Sequence, residues 1–195
     1  MLYSKLRILI VDDSADDIEL FTDDLHHLNN NMTYNLNTEI HDVPTMQIAK
    51  ELLKKEYFDI IFLDLYLPDS KGIDTISNFK EEMERFPTVV LTGLNDTQIA
   101  LEVVKQGAQD YLVKREFNTE LLYRTIKYSI ERHKATTDLK RSNNDLKDFA
   151  KIVSHDLKSP LNVISGNSEL LKMTLGDKLG DENKEMLDNI SNTVH

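Results

Sequence analysis

Five acidic, hydroxyl or ammonium side chains follow or end short apolar runs of this sequence. They are Asp12, Asp13, Asp64, Thr92 and Lys114. Three carboxylates at one place repel each other unless a cation lies among them, and Mg²⁺ prefers oxygen ligands of this kind. A lysine and a hydroxyl near that ion match what the peripheral oxygens of a phosphoryl group need. The set therefore indicates magnesium-assisted phosphoryl chemistry, provided that the fold brings the five residues together.

The elements that must position these residues can be predicted from hydrophobic patterning. Apolar runs of strand length alternate with amphipathic segments as far as about residue 114. The predicted strands are Leu6–Val11, Leu36–Ile40, Ile60–Leu63, Thr88–Leu91 and Tyr111–Val113. Five strands alternating with helices predict a doubly wound, five-stranded parallel α/β sheet, in which ligands bind at the carboxyl ends of the strands. All five chemically active residues would lie at that edge.

Two helices of this region carry specific expectations. Ser14 suits the cap of the first helix, and Asp16 and Asp17 would lie near its positive end. Ile73, Ile76, Phe79 and Met83 recur at helical spacing and predict one helix across residues 73–83.

The stretches ILIVDDS, IIFLDLYLPDSKG, VVLTG and GAQDYLVKREF resemble the response regulator receiver domain, which is also called CheY-like. The resemblance covers residues from about 5 to 135. It implies that Asp64 accepts a phosphoryl group as an acyl phosphate. It also implies that Mg²⁺ is bound by Asp12, Asp13 and Asp64, with the backbone carbonyl of Tyr66 as a further ligand.

The same resemblance assigns roles to three residues around the phosphoryl group. Lys114 would pair with the phosphoryl oxygens, and Thr92 would move towards them once Asp64 is modified. Tyr111 matches the switch aromatic, which turns inward together with Thr92. A purely structural role stays open for Tyr111 as the alternative, in which it is a core aromatic at the edge of the sheet.

A long helix is predicted beyond the sheet, because neither glycine nor proline occurs between Ala108 and Ser159. Part of this helix repeats apolar or small residues at intervals of 4, 3, 4, 3 and 4. These residues are Ala135, Leu139, Ser142, Leu146, Phe149 and Val153. The spacing is typical of a coiled coil and predicts a parallel dimer, although a solitary solvated helix is the alternative.

The string FAKIVSHDLKSPLN at 149–162 resembles the H-box of histidine kinase dimerisation and phosphotransfer (HisKA-type) domains. The resemblance implies that His155 is phosphorylated, that Asp156 assists the transfer and that Ser159 influences dephosphorylation. Pro160 should kink the helix. A second helix is predicted near Asp181, so that two helical hairpins would form a four-helix bundle across a two-fold axis.

These observations divide the chain into a receiver domain at 1–133, a coiled-coil linker at 134–148 and a phosphotransfer hairpin at 149–195, whose second helix we expect to be cut short. The 195 residues have a net charge of −11 and no cysteine. The charge argues against nucleic acid as a partner, and the missing cysteines exclude disulfides and thiolate sites. No apolar stretch approaches the ~20 residues of a membrane span, and a cytoplasmic protein is expected.

The favoured interpretation is two-component phosphorelay signalling by the front portion of a sensor histidine kinase. The six glycines form no phosphate-binding loop, and no ATP-binding domain follows His195, so this chain alone should not phosphorylate itself from ATP. Expected partners are a second copy of the chain, an upstream histidine kinase and downstream receivers. Two alternatives stay open: a standalone relay protein, and a phosphorylation-controlled dimerisation scaffold with an inert His155.

Overall fold

The computed structural model describes residues 5–30, 34, 36–93, 102–175, 178 and 180–194. The chain divides into two compact units, Met1–Thr137 and Asp138–His195. Among the described residues, no helix is both long and apolar enough to cross a membrane.

The first unit is built on a parallel sheet of five strands. The strands of the chain are β1 (Leu6–Val11), β2 (Thr38–Val43), β3 (Ile60–Asp64), β4 (Tyr66–Leu67), β5 (Ser70–Lys71), β6 (Thr88–Thr92) and β7 (Asp110–Val113). The large sheet has the order β2-β1-β3-β6-β7, and all of its pairings are parallel. The five predicted strands and the doubly wound α/β class are confirmed. The short antiparallel pair β4–β5 was not predicted.

The helices are α1 (Ala15–Asn30), α2 (Met46–Leu53), α3 (Ile73–Asn78), α4 (Lys80–Arg85), α5 (Thr119–Leu175) and α6 (Asp181–Val194). The Ser14 cap forms as expected, since its Oγ accepts a hydrogen bond of 3.3 Å from the amide of Asp17. Residues 102–105 are also helical. The predicted start of that helix, near Ile99, lies outside the described residues.

Alternation along the strands separates the core into two hydrophobic clusters. On β1, Leu9 and Val11 belong to one cluster, whereas Ile8 and Ile10 belong to the other. Successive side chains of a strand point to opposite faces, so the two clusters lie on opposite faces of the sheet. All residues of β3 and β6 are buried, as expected for central strands that are covered on both sides.

The single helix predicted across 73–83 is wrong, because the chain forms α3 and α4 with a break at Phe79. Phe79 has φ −100° and ψ 10°, outside the helical region. Its amide is shared between the carbonyls of Thr75 and Ile76, and its ring is fully buried. Burial of this ring in the core accompanies the interruption, which hydrophobic spacing alone does not reveal.

The second unit contains most of α5 together with α6. The ammonium of Lys172 on α5 contacts the carboxylate of Asp188 on α6, and Ser165 and Ser168 are buried. Pro160 lies inside α5 without ending it. Of the predicted turn at 176–180, only residues 178 and 180 are described. The long helix and the second helix from Asp181 are both confirmed.

Candidate functional site

Strand register brings the five residues of the sequence motif to one edge of the sheet. Val11 pairs with Leu63, so Asp12 follows β1 beside the end of β3. Thr92, the last residue of β6, pairs with Val113, and Lys114 follows directly. The backbone amide of Lys114 continues this pairing by donating to the carbonyl of Thr92 at 2.8 Å.

Three carboxylates converge at this edge. Asp12, Asp13 and Asp64 each offer an oxygen within 4.8 Å of the other two. Asp12 and Asp64 are buried, and Asp13 is exposed. Backbone amides hold the two buried groups, since Ser14 donates to Asp12 at 3.0 Å and Tyr66 donates to Asp64 at 3.3 Å. A compact set of oxygen donors that opens to solvent on one side fits a hard divalent cation such as Mg²⁺.

Lys114 places a positive charge among these carboxylates. Its Nζ lies 2.7 Å from Asp12 Oδ2 and 2.9 Å from Asp64 Oδ2. Burial alone would lower the pKa of Lys114, but the hydrogen bonds to Asp12 and Asp64 outweigh it and raise the pKa. The side chain is therefore a permanent cation that is held against the buried acids.

Asp64 has the opposite balance. Burial raises the pKa of its carboxyl, and the hydrogen bond from Lys114 only partly offsets this effect. The negative charge of Asp12 raises the pKa further. A raised pKa makes the carboxylate a more basic and hence more reactive nucleophile, as long as it is ionised.

A fourth carboxylate, Asp17 of α1, was not part of the predicted set. Its Oδ2 accepts a hydrogen bond of 3.0 Å from Lys114, and its Oδ1 accepts one of 2.7 Å from Arg115. Burial alone would raise the pKa of Asp17, but these hydrogen bonds prevail and lower it. The sequence shows two acids in the first turn of α1, but interaction with the helix dipole is enough to account for them. No feature of the sequence therefore singles out Asp17 as a partner of Lys114.

The two predicted switch residues lie nearby on β6 and β7. Thr92 is fully buried, and its Oγ1 lies 3.5 Å from the carbonyl oxygen of Leu112, at the outer limit of a hydrogen bond. Tyr111 is half-buried and packs against the core cluster that contains Val90. Both residues therefore lie close to the rim, and the hydroxyl of Thr92 points to a carbonyl of the neighbouring strand β7.

The predicted histidine site in the second unit is open to solvent. The side chain of His155 is 86% exposed, and its Nδ1 lies 3.3 Å from the carboxylate of Asp156. Ser159, one turn further along α5, is also exposed. The predicted seam residues Leu139, Leu146 and Phe149 are 69%, 66% and 64% exposed.

Comparison with known families assigns both parts of the chain. Residues 8–127 match the response regulator receiver domain, which covers more than half of the chain. Residues 145–195 match the His Kinase A (phospho-acceptor) domain. Receiver domains generally bind Mg²⁺ at an acidic pocket, and His Kinase A domains generally dimerise.

Curated relatives share the receiver part. The phosphoglycerate transport system transcriptional regulatory protein PgtA of Salmonella typhimurium is 30% identical over 114 residues, which are 58% of this chain and 26% of PgtA. The response regulator PilR of Pseudomonas aeruginosa is 29% identical over 111 residues, which are 57% of this chain and 23% of PilR. The chain thus spans about a quarter of the length of these relatives.

Solved structures agree on the fold of the first unit. A response regulator receiver domain protein from Clostridium thermocellum has a TM-score of 0.54 at 20% identity, covering 67% of this chain and 98% of that structure. A two-component response regulator from Clostridium difficile has a TM-score of 0.53 at 24% identity, covering 66% and 98%. The chain belongs to the response regulator receiver family and carries a His Kinase A phospho-acceptor domain behind its receiver, which makes it a protein of two-component phosphorelay signalling.

Proposed function

We propose that Asp64 is the phosphoacceptor of the receiver, and that its modification controls a dimeric helical bundle in which His155 carries a phosphoryl group. The observation that supports this proposal most directly is the local environment of the Asp64 carboxylate. Its buried carboxylate ends β3, shares a rim with two further carboxylates and accepts a 2.9 Å hydrogen bond from Lys114. The proposed organisation is a receiver at 1–133, a linker at 134–148 and a phosphotransfer hairpin at 149–195.

Acyl phosphate formation on Asp64 needs no general base, because an ionised carboxylate is already a nucleophile. A carboxylate oxygen forms a bond to phosphorus while the bond from phosphorus to the donor breaks. The donor atom is a ring nitrogen of a phosphohistidine or the acyl oxygen of a small acyl phosphate, and it keeps the electron pair. Lys114, already in contact with Asp64, is placed to balance charge on the phosphoryl oxygens.

Asp12, Asp13 and Asp64, with the backbone carbonyl of Tyr66, would hold Mg²⁺ at this rim. When bound, the ion would supply positive charge that offsets repulsion between the acids and an incoming phosphoryl group. The carboxylate geometry described above supports this assignment, since the three groups lie close together and Asp13 is open to solvent.

Signal output would run through Thr92 and Tyr111. A hydroxyl that is buried at the end of β6 and only loosely bonded to the Leu112 carbonyl can turn towards a new anionic group at low cost. Space vacated by Thr92 would let Tyr111 move further inward from its half-buried position. Both movements would change the surface next to β7.

In the helical unit, exposure supports the role of His155 as a phosphoryl carrier that meets other proteins. A neutral imidazole has one free ring nitrogen, which is the nucleophile in phosphoryl transfer. Asp156 lies 3.3 Å from Nδ1 and would orient the ring. Ser159 would act on the loss of the phosphoryl group from the same exposed turn.

Apolar side chains on α5 support dimerisation through this helix. Leu146, Phe149 and Val153 continue the heptad pattern and are 66%, 64% and 36% exposed in the single chain. A second copy would cover them in a parallel coiled coil and a four-helix bundle. The whole protein would then act as the front portion of a sensor histidine kinase, with a kinase upstream or receivers downstream as partners.

The experiment is site-mapped mass spectrometry after incubation with acetyl phosphate and Mg²⁺, repeated with a chelator. We expect Mg²⁺-dependent phosphate on Asp64, complete loss of it in Asp64→Asn, and no change in Asp74→Asn, which removes an exposed carboxylate on α3. Undiminished labelling of Asp64→Asn would contradict the assignment.

His155 is tested by phosphate exchange with a partner kinase or receiver. Loss of exchange in His155→Gln would support its role as a phosphoryl carrier, with Ser154→Ala as a neighbouring control. Unchanged exchange would instead favour a dimerisation scaffold in which His155 is inert.

A further inference from the structure

Asp17 connects the phosphoacceptor rim to the surface. Its two oxygens bind different cations, Lys114 at 3.0 Å and Arg115 at 2.7 Å, although both lie almost a hundred residues away in the chain. The side chain of Asp17 is 21% exposed, whereas that of Arg115 is 66% exposed. A cavity of about 150 Å³ opens beside this arrangement, lined in part by Leu20 and Phe117.

The ammonium of Lys114 has no donor to spare in this state. It carries three N–H groups, and three carboxylates lie within 3.0 Å of Nζ: Asp12, Asp64 and Asp17. A phosphoryl group on Asp64 would bring new oxygens that need this ammonium. Lys114 can serve them only by weakening one of its present contacts.

Asp17 differs from the other two acids that hold Lys114. Asp12 belongs to the carboxylate cluster that fits a cation, and Asp64 is the nucleophile, whereas Asp17 lies outside that cluster. Its contact with Lys114 can therefore be removed without removing a cluster ligand. Its negative charge also repels an incoming anionic phosphoryl donor.

Arg115 weakens the attraction between Asp17 and Lys114. Its backbone is in the left-handed region with φ 66°, which a residue with a side chain rarely adopts. From this position Nη2 reaches Asp17 Oδ1. Part of the charge of Asp17 is thereby neutralised by Arg115, which leaves less of it to hold Lys114.

We propose that Asp17 is a positioning residue that restrains Lys114 in the unmodified site and so weakens binding of the phosphoryl group, and that Arg115 moderates this restraint. The inference rests on the proposed function of Asp64. It makes the affinity of the site for a phosphoryl group adjustable from α1, by a pair of residues that do not belong to the carboxylate cluster of Asp12, Asp13 and Asp64.

The experiment measures the affinity of the full chain for beryllium fluoride, a phosphoryl analogue, at fixed Mg²⁺ by ¹⁹F NMR. We expect Asp17→Asn to bind about twofold to fivefold more tightly than the wild type, as removal of one partly exposed ion pair permits. Arg115→Gln should bind more weakly, because Asp17 then acts on Lys114 alone. The matched control is Asp16→Asn, which removes the same charge from the preceding, exposed position of α1 and should change the affinity less than twofold.

Two further measurements separate positioning from a merely structural effect. With acetyl phosphate as donor, Asp17→Asn should lower the half-saturating donor concentration by a similar factor and leave the maximal rate of labelling nearly unchanged. The double variant Asp17→Asn/Arg115→Gln should follow Asp17→Asn, since Arg115 acts through Asp17. If the double variant did not bind beryllium fluoride more tightly than the wild type, Arg115 itself would bind the analogue, and the proposed role of Asp17 would be wrong.

Failure of this inference is distinguishable from failure of the proposed function. Beryllium fluoride binding that is absent in the wild type, or unchanged in Asp64→Asn, would overturn the phosphoacceptor assignment and this inference with it. Normal binding by the wild type with equal or weaker binding by Asp17→Asn would overturn the role of Asp17 alone.

Discussion

The two predicted phosphoryl sites of this chain contrast in how they are built. The site around Asp64 is assembled from residues that are far apart in sequence, and Lys114 reaches across 50 residues to its carboxylate. The site around His155 is a continuous string on one helix, and its side chain is 86% exposed. A reaction that concentrates negative charge needs fixed counter-charges in a partly buried place, whereas a carrier residue must be reachable by other proteins.

The hydrophobic surfaces of the two regions differ in the same way. The sheet unit closes its own core, and Phe62 on β3 is completely buried. The helical unit leaves large apolar side chains in the open, including Phe149 at 64% and Met173 at 86% exposure. The first region can therefore be stable as a single chain, whereas the second would gain much of its burial from the proposed second copy.

The largest expected effect tests the closed core. Phe62→Ala should cost about 3–5 kcal/mol in the free energy of unfolding, because the ring is fully buried and contacts Phe21 edge-to-face at 4.7 Å. All seven tyrosines lie in the Met1–Thr137 unit, so tyrosine fluorescence during urea unfolding reports on it alone. A cost below about 1 kcal/mol, or one that varies with protein concentration, would contradict a self-contained core.

The same type of substitution in the helical unit should act on association instead. Phe149→Ala should weaken dimerisation about tenfold to a hundredfold, as expected when an apolar seam residue is truncated, and should leave the urea midpoint of the tyrosine signal unchanged. Analytical ultracentrifugation over a range of concentrations measures this. Lys151→Ala, off the heptad seam, is the control. Equal dissociation of both variants, or a wild type that stays monomeric at tens of micromolar, would refute the dimer through α5.

A smaller effect is expected from the charge at the rim. The pKa of Asp64 is raised by burial above its ordinary value of 3.8, with Lys114 compensating only in part, so ionised Asp64 destabilises the folded state at neutral pH. Asp64→Asn should therefore stabilise the metal-free protein at pH 7 by about 1 kcal/mol or less, visible as a rise in melting temperature. This advantage should vanish as the pH falls towards 3.8.

Magnesium provides the control for the rim prediction. Mg²⁺ should raise the melting temperature of the wild type more than that of Asp64→Asn, because the variant lacks one of the three clustered carboxylates. A variant that is less stable than the wild type in chelator at pH 7 would show that the Lys114 contact outweighs burial.

The smallest effect is expected at a partly exposed ionic cluster of the same unit. Hydrogen bonds from His41 and Lys5 lower the pKa of Glu39 from 4.5 to about 2. A lowered pKa contributes stability above pH 4.5 that is lost as the pH falls towards 2. Because the groups are partly exposed, solvent screens them, and Glu39→Gln should change the melting temperature far less than Phe62→Ala does.

Acid titration of the melting temperature tests that last prediction. The difference between Glu39→Gln and the wild type should shrink between pH 4.5 and 2, with Glu19→Gln, an exposed acid on α1, as the control. If Glu39→Gln lost much stability at pH 7, the ionic cluster would be shown to support β2 rather than to be a surface feature.

Much of the fold could be predicted because periodic burial leaves a direct mark on the sequence. The apolar runs that became β3 and β6 are fully buried, and the stretch without glycine or proline became α5. The break at Phe79 could not be predicted, since the same apolar spacing continues on both sides of it. The short pair β4–β5 could not be predicted either, because two-residue strands are too short to show a hydrophobic period.

For the candidate sites, the sequence by itself determined which residue types follow the strands and the string around His155, because both are local features of the chain. The roles of these residues stay predictions. Only the tertiary structure decided that Asp17 binds Lys114 and Arg115, since a contact across 97 residues depends on where the fold places the first turn of α1 relative to Lys114 and on the left-handed backbone at Arg115. Local sequence specifies an acid on the first turn of a helix, but only long-range packing specifies which cation that acid meets.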